Sequence, residues 1–575
     1  MVKNEQIILT ILAAVVGLLG GGAAIVFREA ISLVQEIALG FDSDSVFTLA
    51  GELPFWRILL ATTGGGLVVG LLLRYAMPGQ RVHAVADVIE AATLRNAEMN
   101  LRDGIVSAVI SAISLGAGAS AGREGPVVHL GATLSAFVAD RLHLGRALAR
   151  TLLGCGVAAA VAASFNAPIA GVFFALEVVI GHYALKAFAP IVIASVTGTI
   201  VSRIYFGDFP AFLIREYQVV SFLEFPAFAL LGVISAIMAI IFMHSVAFSQ
   251  NVVKKANIPI WLRPACGGLL VGIIALAFPH VLGVGYEATD AAIQERMGLW
   301  LLIGLLVAKT AATAITLAFG FGGGVFSPSL YLGAMLGGAF GVIATMMFPE
   351  LSSGNGAYTI VGMGAVAGAV LGAPISTILM IFELTNNYAI TIAVMIATVT
   401  ASLITRHVFK HSFFSWQLAL RGLDVKGGRE QNLLRSIRID TVMKSEYETV
   451  DPTASMSEVR QSLLESYYGE IFVVDEMGIL EGTITLHDLG DSAFDMSNDF
   501  RLTAHDVARR PPPTLIPDDT LDRAIALMDS VHEEHIAVVN DRYVMRVVGF
   551  VHQLDVMSAY NRAVLESRAE EQGEV

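Results

Sequence analysis

Two short stretches combine glycine, proline and a side chain of interest at the same spacing. They are Gly122-Arg123-Glu124-Gly125-Pro126 and, 202 residues later, Gly324-Val325-Phe326-Ser327-Pro328. Glycine lets the backbone approach closely and proline suits the first turn of a helix, so each stretch reads as a helix start. The first turn leaves N–H groups without intrahelical partners and carries the positive end of the helix dipole. Such an end is an anion site. Four helix N-termini from two copies, aimed at one point, would hold a halide without a buried lysine or arginine. A full charge in contact with the ion would bind it too tightly to let it leave. Glu124 adds a carboxylate at one of these starts, where it mimics an anion while ionised and is released on protonation. Its other reading is a structural helix cap.

The elements that must position these residues are apolar. The chain of 575 residues is 55% hydrophobic and 15% charged. Its mean hydropathy is +0.68, more than a water-soluble globule carries without exposing large apolar patches. A soluble enzyme, a disordered chain and a nucleic-acid binder are excluded. Cys155 and Cys266 both sit in apolar runs, so neither a disulfide framework nor a cysteine zinc site is expected. Residues 7–27 are long enough to span a bilayer. Further apolar segments follow at 56–76, 105–119, 147–165, 169–183, 187–205, 222–248, 264–282, 299–319, 330–348, 357–371 and 389–405. The shorter, Gly/Pro-interrupted ones predict broken or re-entrant helices buried within protein. Asn166-Ala-Pro168 through Glu177 also has a partner, Gly372-Ala-Pro374 through Glu383, at an offset of 206, with each glutamate nine residues after its proline. Two unrelated patterns sharing nearly one offset predict a duplicated membrane unit, and matched interruptions point to a transport site near the midplane. The fold class is therefore an all-α polytopic membrane protein of two inverted repeats with re-entrant helices.

Charge divides the chain. Residues 1–420 hold 21 basic and 21 acidic residues, while 421–575 hold 15 basic and 29 acidic ones, which accounts for the net −14. The acidic part gains nothing at nucleic acid or an anionic membrane surface. After a linker at 421–436, two similar α+β units appear at 437–498 and 499–565, before an acidic tail at 566–575. Ile471–Asp475 followed by Gly482–Asp488 echoes Ile536–Asn540 followed by Gly549–Asp555, and helices are predicted at 455–466 and 519–530. His532-Glu533-Glu534-His535 lacks the i, i+4 histidines of a zinc protease and reads as a solvated helix end.

Gly122–Pro126, Gly323–Pro328 and Asn166–Glu177 together closely resemble the CLC family of chloride channels and chloride/proton antiporters, from the first helix to about residue 420. The acidic part resembles a tandem of CBS domains. The resemblance implies chloride as the permeant ion and Glu124 as the external gate, its carboxylate competing with the anion. It implies Val325 and Phe326 as N–H donors to the central ion, with Arg123 and Gly125 beside it, and a homodimer with one pore per subunit in the bilayer. Three positions depart from the commonest family pattern. The first anion motif aligns with Val82–Asp87, where His83 replaces a serine. His83 is either a donor to the anion, making occupancy pH-sensitive, or a histidine packed facing solvent. Phe414 replaces a tyrosine whose hydroxyl usually touches the ion, so a weaker central site is expected. Val178 follows Glu177 where antiporters carry a proton-accepting glutamate. These departures favour a passive channel, with the antiporter as the alternative.

For the CBS pair, the resemblance leaves two readings. One is an adenine nucleotide in the cleft, with Asp488 or Asp555 on the ribose hydroxyls and Thr485 nearby. The other is a purely structural, dimerising role. No phosphate-binding G-x-x-x-x-G-K-[ST] loop is present and no cofactor or metal is required. An intramembrane enzyme would need a nucleophile–base or metal constellation, and a cation transporter several acids facing a cavity; neither pattern is found. The expected location is the cell inner membrane, with the CBS pair in the cytoplasm.

Overall fold

The computed structural model describes residues 2–43, 45–181, 185–208, 212, 220–423, 434–435, 437–466, 469–489, 499 and 501–572. The chain divides into two compact units, Met1–Val425 and Lys426–Val575. Residues 424–433 and 436 of the expected linker, 490–498 at the end of the first α+β unit and 573–575 of the acidic tail lie outside the described residues.

The first unit is helical throughout: α1 (Val2–Leu39), α2 (Val46–Gly51), α3 (Phe55–Tyr75), α4 (Val85–Leu94), α5 (Leu101–Gly116), α6 (Glu124–Arg141), α7 (Arg146–Phe165), α8 (Pro168–Phe174), α9 (Leu185–Phe206), α10 (Phe225–Lys255), α11 (Arg263–Ala277), α12 (Tyr286–Ile293), α13 (Leu299–Ala318), α14 (Phe326–Met347), α15 (Asn355–Leu371), α16 (Pro374–Thr385), α17 (Tyr388–Val408) and α18 (Phe413–Ala419). Among the described residues, eight helices are long and apolar enough to cross a membrane, and four shorter apolar ones accompany them. The 7–27 run grows into the longer α1 because no glycine or proline interrupts it between Phe27 and Gly40, where φ of +87° ends the helix. The segment at 105–119 starts earlier, at Leu101, because the Asn100 side chain accepts from Arg102 N at 2.9 Å. Residues 169–183 become α8 plus one π-helical stretch, Ala175–Ile180.

The duplication is visible in the order of elements, since α5–α9 recur as α13–α17. Two contacts join the repeats. Gly122 and Gly324 exchange backbone hydrogen bonds of 2.8 and 2.7 Å in an antiparallel bridge. Glu177, at the end of one Ala-Pro helix, accepts from Ile375 N (3.1 Å), Ser376 N (2.8 Å) and Ser376 Oγ (2.6 Å) at the start of the other. Glu383 returns the contact, accepting from Ile169 N and Ala170 N at 2.8 Å each. Each carboxylate satisfies first-turn donors that hydrocarbon would leave unpaired.

In the second unit, β1 (Thr449–Val450), β2 (Glu470–Val474) and β3 (Leu480–Thr485) form one sheet, and β4 (Thr514–Leu515), β5 (His535–Val539) and β6 (Val547–His552) form another. In each, the first strand is parallel to the second and the second antiparallel to the third, with a register shift at the same place, Val473/Val474 and Val538/Val539. The expected helices are present at Met456–Glu465 and Leu521–Val531. Phe472 and Leu480 pack with Ala537, Val539, Val547 and Phe550 in one apolar cluster, so the two sheets share a core. The reading of 532–535 as a solvated end is overturned. His532 closes its helix in the left-handed region, and the turn carries Glu533 and His535 into that shared interior, where both are buried.

Candidate functional site

Three helix starts converge on one narrow cavity of about 30 Å³, room for roughly one or two water-sized particles. Ala84 and Val85 come from α4, Glu124 and Gly125 from α6, and Val325 and Phe326 from α14. The approach is close enough to require glycine: a Cβ on Gly324 would lie 2.9 Å from Gly125 N. Four N-termini were expected and three arrive. The starts of α8 and α16 are closed by Glu383 and Glu177 instead, and α8 contributes Phe174 from its other end. On the remaining side, Phe413, Phe414 and Gln417 of α18 close the wall.

Glu124 is 2% exposed. Its Oε1 accepts from the Tyr286 hydroxyl at 2.7 Å and from Ser327 Oγ at 2.5 Å. Oε2 has no hydrogen-bond partner among the protein atoms. Two hydroxyl donors on one oxygen favour the ionised carboxylate. Arg123 does not line the cavity; its guanidinium lies over the Tyr286 ring, 4.8 Å from the centroid. Tyr286 went unrecognised in the sequence, because its placement depends on the turn Gly283-Val284-Gly285 ahead of α12. Gly285 has φ of +91°, and a Cβ there would meet Tyr331 at 2.7 Å.

The structure brings Gly125, Val325, Phe326 and Phe414 together at the cavity and leaves His83 and Val178 off its wall. His83 precedes the α4 start. Its N–H donates to Ser107 Oγ at 3.2 Å, and its ring meets His129 edge-on at 5.5 Å. Val178 is half-buried in the π-helical stretch after α8. A further group lies near α4. Asp87 caps Ala84 N at 2.9 Å and pairs with Arg81 at 2.6 Å and Arg421 at 2.9 Å, while Arg421 also reaches Glu90 at 3.5 Å. Arg421, just past α18, thus clamps the helix whose start lines the cavity.

In the second unit, Asp488 accepts from Thr485 N at 2.9 Å and Thr485 Oγ1 at 2.8 Å, and pairs with Arg509 at 2.7 Å. Burial raises its carboxyl, but the Arg509 and Thr485 hydrogen bonds outweigh this and hold it below the usual range. Asp555 pairs with Lys444 at 2.8 Å. Arg509 continues to Glu533, and Glu470, 7% exposed, pairs with His535 at 3.1 Å. Burial pushes the Glu470 carboxyl up, against the opposing hydrogen bond from His535. A raised acid costs the fold stability while ionised, and the cost fades as pH falls through the raised value toward 4.5. Glu470→Gln is therefore expected to raise the melting temperature of this unit at pH 7, with the gain shrinking toward pH 4.5. A gain that is equal at both pH values counts against this account.

Residues 65–406 match the voltage gated chloride channel family, and residues 439–491 and 504–562 each match the CBS domain family. A putative chloride channel protein, ClcB-like, of Ralstonia nicotianae is 33% identical over 394 residues, covering 68% of this chain and 91% of its own. The solved structure of a slow cyanobacterial Cl−/H+ antiporter covers 72% of this chain and 97% of its own, with a TM-score of 0.64 at 21% identity. That of a eukaryotic CLC transporter covers 95% of this chain and 97% of its own, with a TM-score of 0.62 at 18% identity. With the family match spanning most of the helical unit and a 33% identical relative covering two thirds of the chain, this protein belongs to the voltage gated chloride channel (CLC) family and is a multi-pass integral membrane protein ending in a pair of CBS domains.

Proposed function

We propose that this protein conducts chloride passively through a pore gated by Glu124, as a homodimer in the cell inner membrane with its CBS pair in the cytoplasm. The observation that carries conduction is the narrow cavity on which the α4, α6 and α14 N-termini converge beside the Glu124 carboxylate. It offers partial positive charge to an anion without a lysine or arginine on its wall. The channel reading rests on Val178 and Phe414. Coupled exchange needs a proton route from the inner side to Glu124, and valine binds no proton. Phe414 lines the cavity without a hydroxyl to hold the central ion. The antiporter is the second reading, favoured by the solved structure named as a Cl−/H+ antiporter, although at 21% identity that likeness speaks for the fold. In it, water passing Val178 carries the proton.

One measurement separates the two. In liposomes with asymmetric pH and chloride, the reversal potential is expected to follow chloride alone. A value displaced by a fixed proton stoichiometry would sink the channel reading and leave the anion site standing. For the CBS pair, an adenine nucleotide using the Asp488 carboxylate would have to displace Arg509 from it. That contact supports the structural role over nucleotide binding in this state of the cleft.

A further inference from the structure

Lys309, on α13, is fully buried at 0% exposure. Its ammonium donates to the carbonyls of Val281 at 3.0 Å and Gly283 at 2.9 Å, and it lies 5.0 Å from the centre of the Tyr331 ring. Three N–H donors thus meet two carbonyls and one π face, and none of these partners carries a negative charge. Among the described residues no carboxylate forms an ion pair with it. An ammonium inside a membrane protein is costly without a counter-charge.

Both contacts lead to Glu124. The carbonyls belong to the turn that delivers Tyr286, whose hydroxyl donates to Glu124. Tyr331 sits one helical turn after Ser327 on the same face of α14, and Ser327 is the second donor to Glu124. We propose that Lys309 is the fixed counter-charge of the outer gate, balanced by the Glu124 carboxylate when the gate is shut and by the permeant anion when Glu124 is protonated or displaced. Lys309 does not line the cavity, so it draws the anion through its field without gripping it. It is a positioning residue, acting through charge and through the turn that holds Tyr286. The other titratable or charged groups facing Glu124 are Arg123 on its own helix start and Tyr286 from α12. Among the described residues α1, α4, α5 and α7 bring none within hydrogen-bond distance of it.

The inference rests on Glu124 being the gate, and the test separates the two claims. Lys309→Gln, which keeps a donor and removes the charge, and Lys309→Arg, which keeps the charge, are each reconstituted alone and with Glu124→Gln. Chloride flux is followed against pH, and melting in detergent against chloride concentration. Without the positive charge Glu124 protonates more easily. Lys309→Gln is therefore expected to move the flux midpoint up by about one pH unit, the scale for unit charges roughly 10 Å apart at an effective dielectric of about 20. Lys309→Arg should leave the midpoint in place. In the Glu124→Gln background chloride should raise the melting temperature, and adding Lys309→Gln should raise the half-saturating chloride about tenfold. An unmoved midpoint and unmoved half-saturation in Lys309→Gln overturn the proposal, as does an arginine variant that shifts as far as the glutamine one. If Lys309→Gln alone folds poorly, the double variant decides. Removing both partners of a charge pair should restore stability relative to Lys309→Gln, and a double variant no more stable than that single one rejects the pair. A wild-type flux without pH dependence would instead reject the gate itself.

Discussion

Glu124→Gln is expected to raise chloride flux and to flatten its dependence on pH. The carboxylate is held by two hydroxyl donors on one oxygen, Tyr286 at 2.7 Å and Ser327 at 2.5 Å, beside a cavity into which three helix starts point. Hydrogen bonds to a charged acceptor are worth about 1.5–3 kcal/mol each, roughly twice those to a neutral one. A neutral amide also loses its attraction to the helix N-termini. Losing even 1.4 kcal/mol of latch energy multiplies the released population about tenfold. Flux through Glu124→Gln should thus rise by about an order of magnitude at neutral pH, measured as chloride efflux from liposomes. Tyr286→Phe is the graded companion: it removes one donor, leaves the carboxylate titratable and should move the flux midpoint to higher pH. A Glu124→Gln protein that keeps the wild-type pH profile would show that the gate lies elsewhere.

Removing either reciprocal cap, by Glu177→Ala or Glu383→Ala, is expected to cost about 3–5 kcal/mol of stability, from two or more charge-assisted hydrogen bonds to donors left unpaired. Glu177 holds Ile375 N and Ser376 N together with the Ser376 hydroxyl, and Glu383 holds Ile169 N and Ala170 N. In water such N–H groups would find solvent, but in a membrane interior nothing replaces the carboxylate. The alanine variants should melt several degrees lower in detergent or fail to remain monodisperse. Glutamine keeps one acceptor oxygen and should lie in between. Alanine variants that melt with the wild type would reduce these contacts to bystanders. The consequence for the pore is indirect: α8 also carries Phe174, which lines the cavity.

Much of this protein follows from local pattern. Hydropathy over twenty-residue windows reports burial in a bilayer, so the membrane body was legible, as was its duplication from the paired Gly/Pro interruptions. Gly125, Val325 and Phe326 could be assigned to one site because glycine–proline helix starts expose their own N–H groups wherever they lie. Period-two patterning and polar turns gave away both α+β units.

Residues whose role depends on which distant element they meet were not legible. Glu177 and Glu383 looked like matched ornaments of two helices until their crossing closed both helix starts and took them out of the anion site. Tyr286 and Lys309 lie 162 and 185 positions from Glu124 in the chain, and only the turn at Gly283–Gly285 and the packing of α13 on α14 bring them to the gate. Glu533 and His535 read as solvated because their neighbours are polar, but the turn after His532 carries them between the sheets. Sequence determined the solvent each segment would seek, since that is a property of its own side chains. The tertiary structure decided which charges face one another, because a hydrogen bond depends on distance across space and not along the chain.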